Sequence, residues 1–210
     1  MTMATDDLIT ILAQSPKPAP RFTVDRILWI WLIATALCTA VILGWRYEIM
    51  HLMLNSGIAY KTSLLLGFCL WAGQNLRAAA LPLASPLSAL PWLALAGVKI
   101  VSLGYEFSMV GVDEIFGVFQ TKYFYVCILM VSIYGLTGMA ILARVLRQYA
   151  PANAKVAGGY VALAAASAGA VGYSLHCPID SPLFILVAYG LPVLVLWAIG
   201  RMVLPRYLQW

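Results

Sequence analysis

The side chains best able to do chemistry in this 210-residue chain are thiols. Cysteines stand at positions 38, 69, 127 and 177, with no Cys-x-x-Cys pair among them. Cys38 and Cys69 fall inside long apolar runs and read as small hydrophobes. Cys127 lies about one turn into the fourth apolar run, and Cys177 lies beside His176 in the short segment between the fifth and sixth. If the runs cross a membrane in order, both thiols lie on one side at similar depth, where an oxidising periplasm would permit a disulfide. Two thiols and an imidazole make a soft ligand set, suited to a thiophilic metal or to oxidation. A separation of 50 residues forms no local motif, so sensing and plain packing are both open readings.

Other chemistry is sparse. No Ser/His/Asp set, Gly-rich phosphate loop or His-x-x-x-His pair can be assembled, and the loops leave no room for an aqueous catalytic domain. Lys99 interrupts the third run but is close enough to its end to snorkel, with Glu106 seven residues on along the same helical face. The segment His176-Cys177-Pro178-Ile179-Asp180-Ser181-Pro182 also has a structural reading. Pro178 and Pro182 stop and restart helices, while Asp180 and Ser181 can cap the sixth helix with Pro182 in its first turn.

A second cluster lies in the N-terminal tail, residues 1–26. Thr5 suits an N-cap, and Asp6 and Asp7 favour the positive end of a helix dipole. Leu8, Ile11 and Leu12 then share one face, flanked by Ile9. So short a helix is marginal in water and needs a surface to dock on. That surface is either the membrane or a groove on a cytoplasmic protein; paired aspartates disfavour an anionic leaflet. Pro16, Pro18 and Pro20 make the following segment a stiff spacer.

The elements that position these residues follow from composition. The chain is 63% hydrophobic and only 10% charged, with a mean hydropathy of +0.90, outside the range of soluble domains. Six apolar runs, at about 27–45, 62–81, 87–105, 123–143, 156–175 and 181–200, are each long enough to cross a bilayer as a helix. They are continuously apolar and do not alternate, which excludes a barrel. The first run is too long for a signal-peptide core and reads as a retained span. The expectation is therefore an all-α membrane protein: a bundle of six transmembrane helices behind a cytoplasmic tail.

With the N-terminus inside, cytoplasmic segments hold Lys17, Arg21, Arg26, Arg77, Arg144, Arg147, Lys155, Arg201 and Arg206, and outer loops hold Arg46, Lys61 and Lys122. Nine against three places both termini in the cytoplasm. The net charge of +5 thus reflects orientation, not direct nucleic-acid binding. Ala165 with Gly169, and Ala168 with Gly172, mark the fifth run as a close-packing helix. Pro192 predicts a kink in the sixth.

The stretch Ser174-Leu175-His176-Cys177-Pro178-Ile179-Asp180-Ser181-Pro182-Leu183-Phe184 resembles the signature of the NrsF family, negative regulators of sigma F. Thr5-Asp6-Asp7-Leu8-Ile9, Leu146-Arg147-Gln148-Tyr149-Ala150-Pro151 and Arg206-Tyr207-Leu208-Gln209-Trp210 fit as well. The resemblance implies a six-span anti-sigma factor of the bacterial inner membrane. Such a protein holds an extracytoplasmic-function sigma factor inactive until heavy-metal stress is sensed through two cysteines. By position these are Cys177 and Cys127, with a regulatory thiophilic metal ion as ligand and no required cofactor. Two departures stand out: Ile179 replaces an acidic residue expected after Pro178, and no proline occurs between Lys122 and Pro151. The competing class is a small membrane transporter or thiol-redox membrane enzyme. It would need more polar residues in the spans than Lys99, Gln74 and Asn75.

Overall fold

A computed structural model describes residues 24–44, 56–80, 90–110, 117–149 and 151–208. The tail residues Thr5, Asp6, Asp7, Leu8, Ile9, Ile11 and Leu12 lie outside the described residues. Each apolar run becomes a helix: α1 (Val24–Ile42), α2 (Ser56–Ala80), α3 (Leu90–Met109), α4 (Lys122–Leu146), α5 (Ala154–Ser174) and α6 (Pro182–Leu208). Four of these, α1, α4, α5 and α6, are long and apolar enough to cross a membrane by length and composition. Their outward faces agree. Trp29, Ile30, Ile33 and Leu37 on α1, and Leu191, Leu194 and Met202 on α6, are exposed. An apolar surface of that extent is stable against lipid and not against water. The chain is a multi-pass membrane protein.

α5 is the axis of the bundle. It packs against α6, α4, α2 and α1, and 89% of its apolar window is buried, against 17% for α1. Its sequence explains this position: with alanine and glycine along every face, neighbouring backbones can approach from all sides. A Cβ on Gly172 would lie 2.8 Å from the Ala36 backbone nitrogen of α1, and one on Gly158 would lie 2.6 Å from the Gly200 carbonyl oxygen of α6. The spacing that marked Ala165/Gly169 and Ala168/Gly172 thus identifies real contacts. Gly169 meets Tyr134 of α4, and the Ala168 carbonyl accepts from the Thr35 hydroxyl of α1 at 3.4 Å.

α6 does not run as one uniform helix. Ser181 is its N-cap, accepting from the Phe184 amide, and Pro182 occupies the first turn. Residues Ile185–Tyr189 then form a π-helical turn before α-geometry resumes at Gly190. Pro192 accounts for the irregularity: it has no N–H to donate to Ala188, and its ring crowds that carbonyl. Widening the preceding turn absorbs the conflict. The expected kink therefore takes the form of a π-turn, and it places Tyr189 against the thiols described next.

Candidate functional site

The C-terminus of α5 and the N-terminus of α6 are joined by a short loop, residues 175–181, drawn down onto the end of the bundle. His176 and Cys177 amides both donate to the Tyr173 carbonyl, so α5 unwinds tightly. Cys177 then points inward. The Cys127 thiol of α4 donates to the Cys177 sulfur across 3.4 Å, and both residues are fully buried. The two are free thiols. Residues 50 apart in the chain are thus brought into contact, at the common depth that the order of the runs predicts. The Tyr189 hydroxyl lies 3.9 Å from the Cys127 sulfur. Tyr173, also fully buried, flanks Cys127 with a hydroxyl that makes no hydrogen bond of ordinary geometry.

His176 takes a different place. Its Nδ1 lies 2.8 Å from the Gly44 carbonyl. A carbonyl only accepts, so Nδ1 is the protonated nitrogen. Gly44 can receive it because it ends α1 in the left-handed region, at φ 80°. The imidazole thus ties the loop to the end of α1. Among the described residues, no group of three or more His, Cys, Asp or Glu side chains is arranged to hold a metal ion. The site offers two sulfurs and two phenols, which suits a soft ion of low coordination number or a dithiol–disulfide couple. It does not supply the four-ligand cage of a structural zinc site.

The residue that sequence reasoning missed is Lys61. The second apolar run starts at about Thr62 in the sequence, which puts Lys61 in an outer loop. Instead α2 begins at Ser56 and Lys61 is fully buried within it. Its ammonium donates to the Cys177 carbonyl at 2.7 Å and the Ile179 carbonyl at 3.1 Å, and pairs with Asp180 Oδ1 at 2.7 Å. Asp180 therefore anchors the loop through an ion pair, and Ser181 caps α6. Lys61 and Asp180 flank apolar runs on the same predicted side, but so do Arg46 and Lys122, so the sequence does not single the pair out.

α3 holds the rest of the loop. Glu106 accepts from the Ser181 hydroxyl and from the Leu183 amide at 2.8 Å. Lys99 donates to the Pro182 carbonyl and lies 5.7 Å from the centre of the Tyr60 ring. Both charged residues of α3 are thus committed to the start of α6, so Lys99 has a structural role beyond snorkelling.

Electrostatics favour the Cys177 thiolate. The Cys127 thiol donating to it and the positive charge of Lys61 outweigh burial, and draw the Cys177 thiol from 9.0 down to about 6. A thiolate is the form that binds soft metals and reacts with oxidants.

In comparison with known proteins, the model of the NrsF family, described as "Negative regulator of sigma F", matches residues 12–210. No curated protein and no solved structure matches the chain.

Proposed function

The chain belongs to the NrsF family of negative regulators of sigma F and is not an enzyme, and from that premise we propose that it is a six-span anti-sigma factor of the bacterial inner membrane. Both termini face the cytoplasm. Thr5, Asp6, Asp7, Leu8, Ile9, Ile11 and Leu12 sequester an extracytoplasmic-function sigma factor. Cys127 and Cys177 face the periplasmic side, where a thiophilic metal ion or an oxidant acts on them and the tail lets its partner go. His176, Pro178, Asp180, Ser181 and Pro182 shape the loop that presents Cys177.

The observation that carries this reading is the 3.4 Å approach of two buried free thiols contributed by distant parts of the chain. The orientation rests on the distribution of basic residues. Arg77, Arg144, Arg147, Lys155, Arg201 and Arg206 gather at the end of the bundle opposite the thiols. Lys61, Lys99 and Glu106 are engaged by the loop and the start of α6, and Asn75 bonds within its own helix, which disfavours a transporter.

A ligand moves a two-state balance only by its differential affinity for the states. Near-complete switching needs roughly 5.5 kcal/mol, within reach of an ion held by two thiolates. The test is a pull-down from native membranes, comparing intact protein with one lacking residues 2–14 and one carrying Cys127→Ala with Cys177→Ala. A sigma factor should co-purify with the intact protein, be absent with the truncated one, and stay bound to the double variant under metal or oxidant. Full release from the double variant would remove the thiols from the mechanism. Recovery independent of the tail would remove the tail.

A further inference from the structure

We propose that Lys61 clasps the dithiol loop to α2, and that α2 transmits movement of that loop to Asp25 at the root of the tail. This deepens the function proposed above by naming the path of the signal.

The clasp follows from the Lys61 contacts. A buried ammonium carries a large desolvation cost and must keep its acceptors. All three of its acceptors belong to residues 177, 179 and 180, and one is the carbonyl of Cys177 itself. Any change that moves Cys177 relative to Cys127 must therefore drag Lys61 along or break a buried ionic contact. The first outcome displaces α2.

α2 is suited to carry the displacement. It is one unbroken helix of 25 residues, and no proline interrupts it. From Lys61 to Arg77 is 16 residues, about 24 Å of helix. At that far end Arg77 pairs with Asp25 Oδ2 at 3.1 Å. Asp25 is the second residue of α1, at the end of the tail segment. One turn before Arg77, α2 and α1 touch closely: a Cβ on Gly73 would lie 2.6 Å from Leu28 Cδ2. The Arg77–Asp25 pair is half-exposed and weak alone, but the Gly73–Leu28 contact couples the two helices by sterics. The loop and the tail root are thus the two ends of one rod.

The experiment uses the full chain and phenylarsine oxide, which bridges neighbouring thiols. Two arsenic–sulfur bonds form, and the arsenic-bound oxygen leaves with the two thiol protons as water, with no change of oxidation state. Protein is treated in detergent, uptake is read by intact mass, and treated and untreated samples are reconstituted in nanodiscs. Hydrogen exchange over residues 73–80 and binding of the sigma factor retained by the intact protein are then compared.

The unsubstituted chain should show altered exchange over 73–80 once the reagent is bound, with sigma-factor affinity falling about tenfold or more. Lys61→Met combined with Asp180→Leu removes both charges and leaves no buried ion unpaired. It should take up the reagent yet show neither response. Lys61→Arg, which retains the cation, should restore part of both. Unaltered exchange over 73–80 in the unsubstituted chain overturns the inference, whatever the sigma factor does. So does a full response in the double variant. Altered exchange with unaltered sigma binding would leave the rod in place and instead refute the anti-sigma mechanism proposed above.

Discussion

Replacing Lys61 with methionine isolates the energetic role of the clasp. Methionine roughly matches the aliphatic stem, so packing is nearly conserved and the charge is what changes. The substitution takes the cation away from the Asp180 carboxylate and the donor away from the carbonyls of Cys177 and Ile179, all within reach of the buried ammonium. Breaking a buried ion pair from one side costs about 3–5 kcal/mol. The Asp180 side chain is 19% exposed and keeps some water, which argues for the low end, about 3 kcal/mol. Removing both charges with Lys61→Met and Asp180→Leu leaves only the two carbonyls short of a donor, a cost that the single variant carries as well. The double variant should therefore be more stable than the single one. Equilibrium unfolding in mixed micelles, for the unsubstituted protein, each single variant and the double, gives the coupling directly. Two results would refute the reasoning: a Lys61→Met variant within about 0.5 kcal/mol of the parent, or a double variant as unstable as the sum of the singles.

Three further outcomes follow from the packing and the thiols. Gly172→Val drives side-chain atoms into the Ala36 backbone and should destabilise by about 3 kcal/mol, whereas Gly97→Ala, with nothing within 4 Å, should be neutral or slightly stabilising by thermal unfolding. Thiol reactivity of Cys177 toward a membrane-permeant maleimide should rise with pH around a midpoint of about 6, and Cys127→Ala should move that midpoint upward by removing the leading cause of the shift. Because the folded value is depressed from 9.0, the associated stability is complete above pH 9, declines as pH falls, and is gone below about 6. Tyr189 lies 3.9 Å from the Cys127 sulfur and also lines an apolar cavity of about 360 Å³ between α2, α3, α5 and α6. Tyr189→Ala should join cavity and thiols, and an unchanged alkylation rate in that variant would show that access runs elsewhere.

The six helices were legible because lipid imposes a length and an apolarity that local sequence must satisfy alone. The α5 contacts were legible for a similar reason: Gly169 and Gly172 admit backbones where other residues do not. The thiol pair was half legible, since topology puts Cys127 and Cys177 at one depth while nothing local says that α4 and the loop touch. Lys61 was illegible by the rule that served elsewhere. A charge at the edge of an apolar run ordinarily marks the start of water. Here it marks a buried acceptor set assembled from residues more than a hundred positions away. His176 shows the complementary case: adjacency to Cys177 suggests a third ligand, and the structure gives its Nδ1 a partner that adjacency does not reveal, the Gly44 carbonyl at the end of α1.

The separation of the thiols bears on which signal the loop transmits. At 3.4 Å the sulfurs are neither bonded nor spaced for a metal. A disulfide brings sulfurs to about 2.0 Å, so oxidation pulls the loop toward α4. An ion bound at about 2.3 Å from each sulfur sets them about 3.8 Å apart in tetrahedral geometry and about 4.6 Å apart if linear, so metal pushes the loop away. Side-chain rotation absorbs part of either movement. The remainder reaches the Cys177 carbonyl and hence Lys61. Oxidation and metal binding therefore load the clasp in opposite directions, and a rod anchored at Asp25 would move oppositely in the two cases. If only one direction frees the tail, the protein discriminates between the two stresses by geometry, before any difference in affinity is considered. Exchange over residues 73–80 with the disulfide formed, set against the same segment with metal bound, decides the point. Changes of opposite sign support geometric discrimination, and changes of the same sign reduce both signals to loosening of the loop.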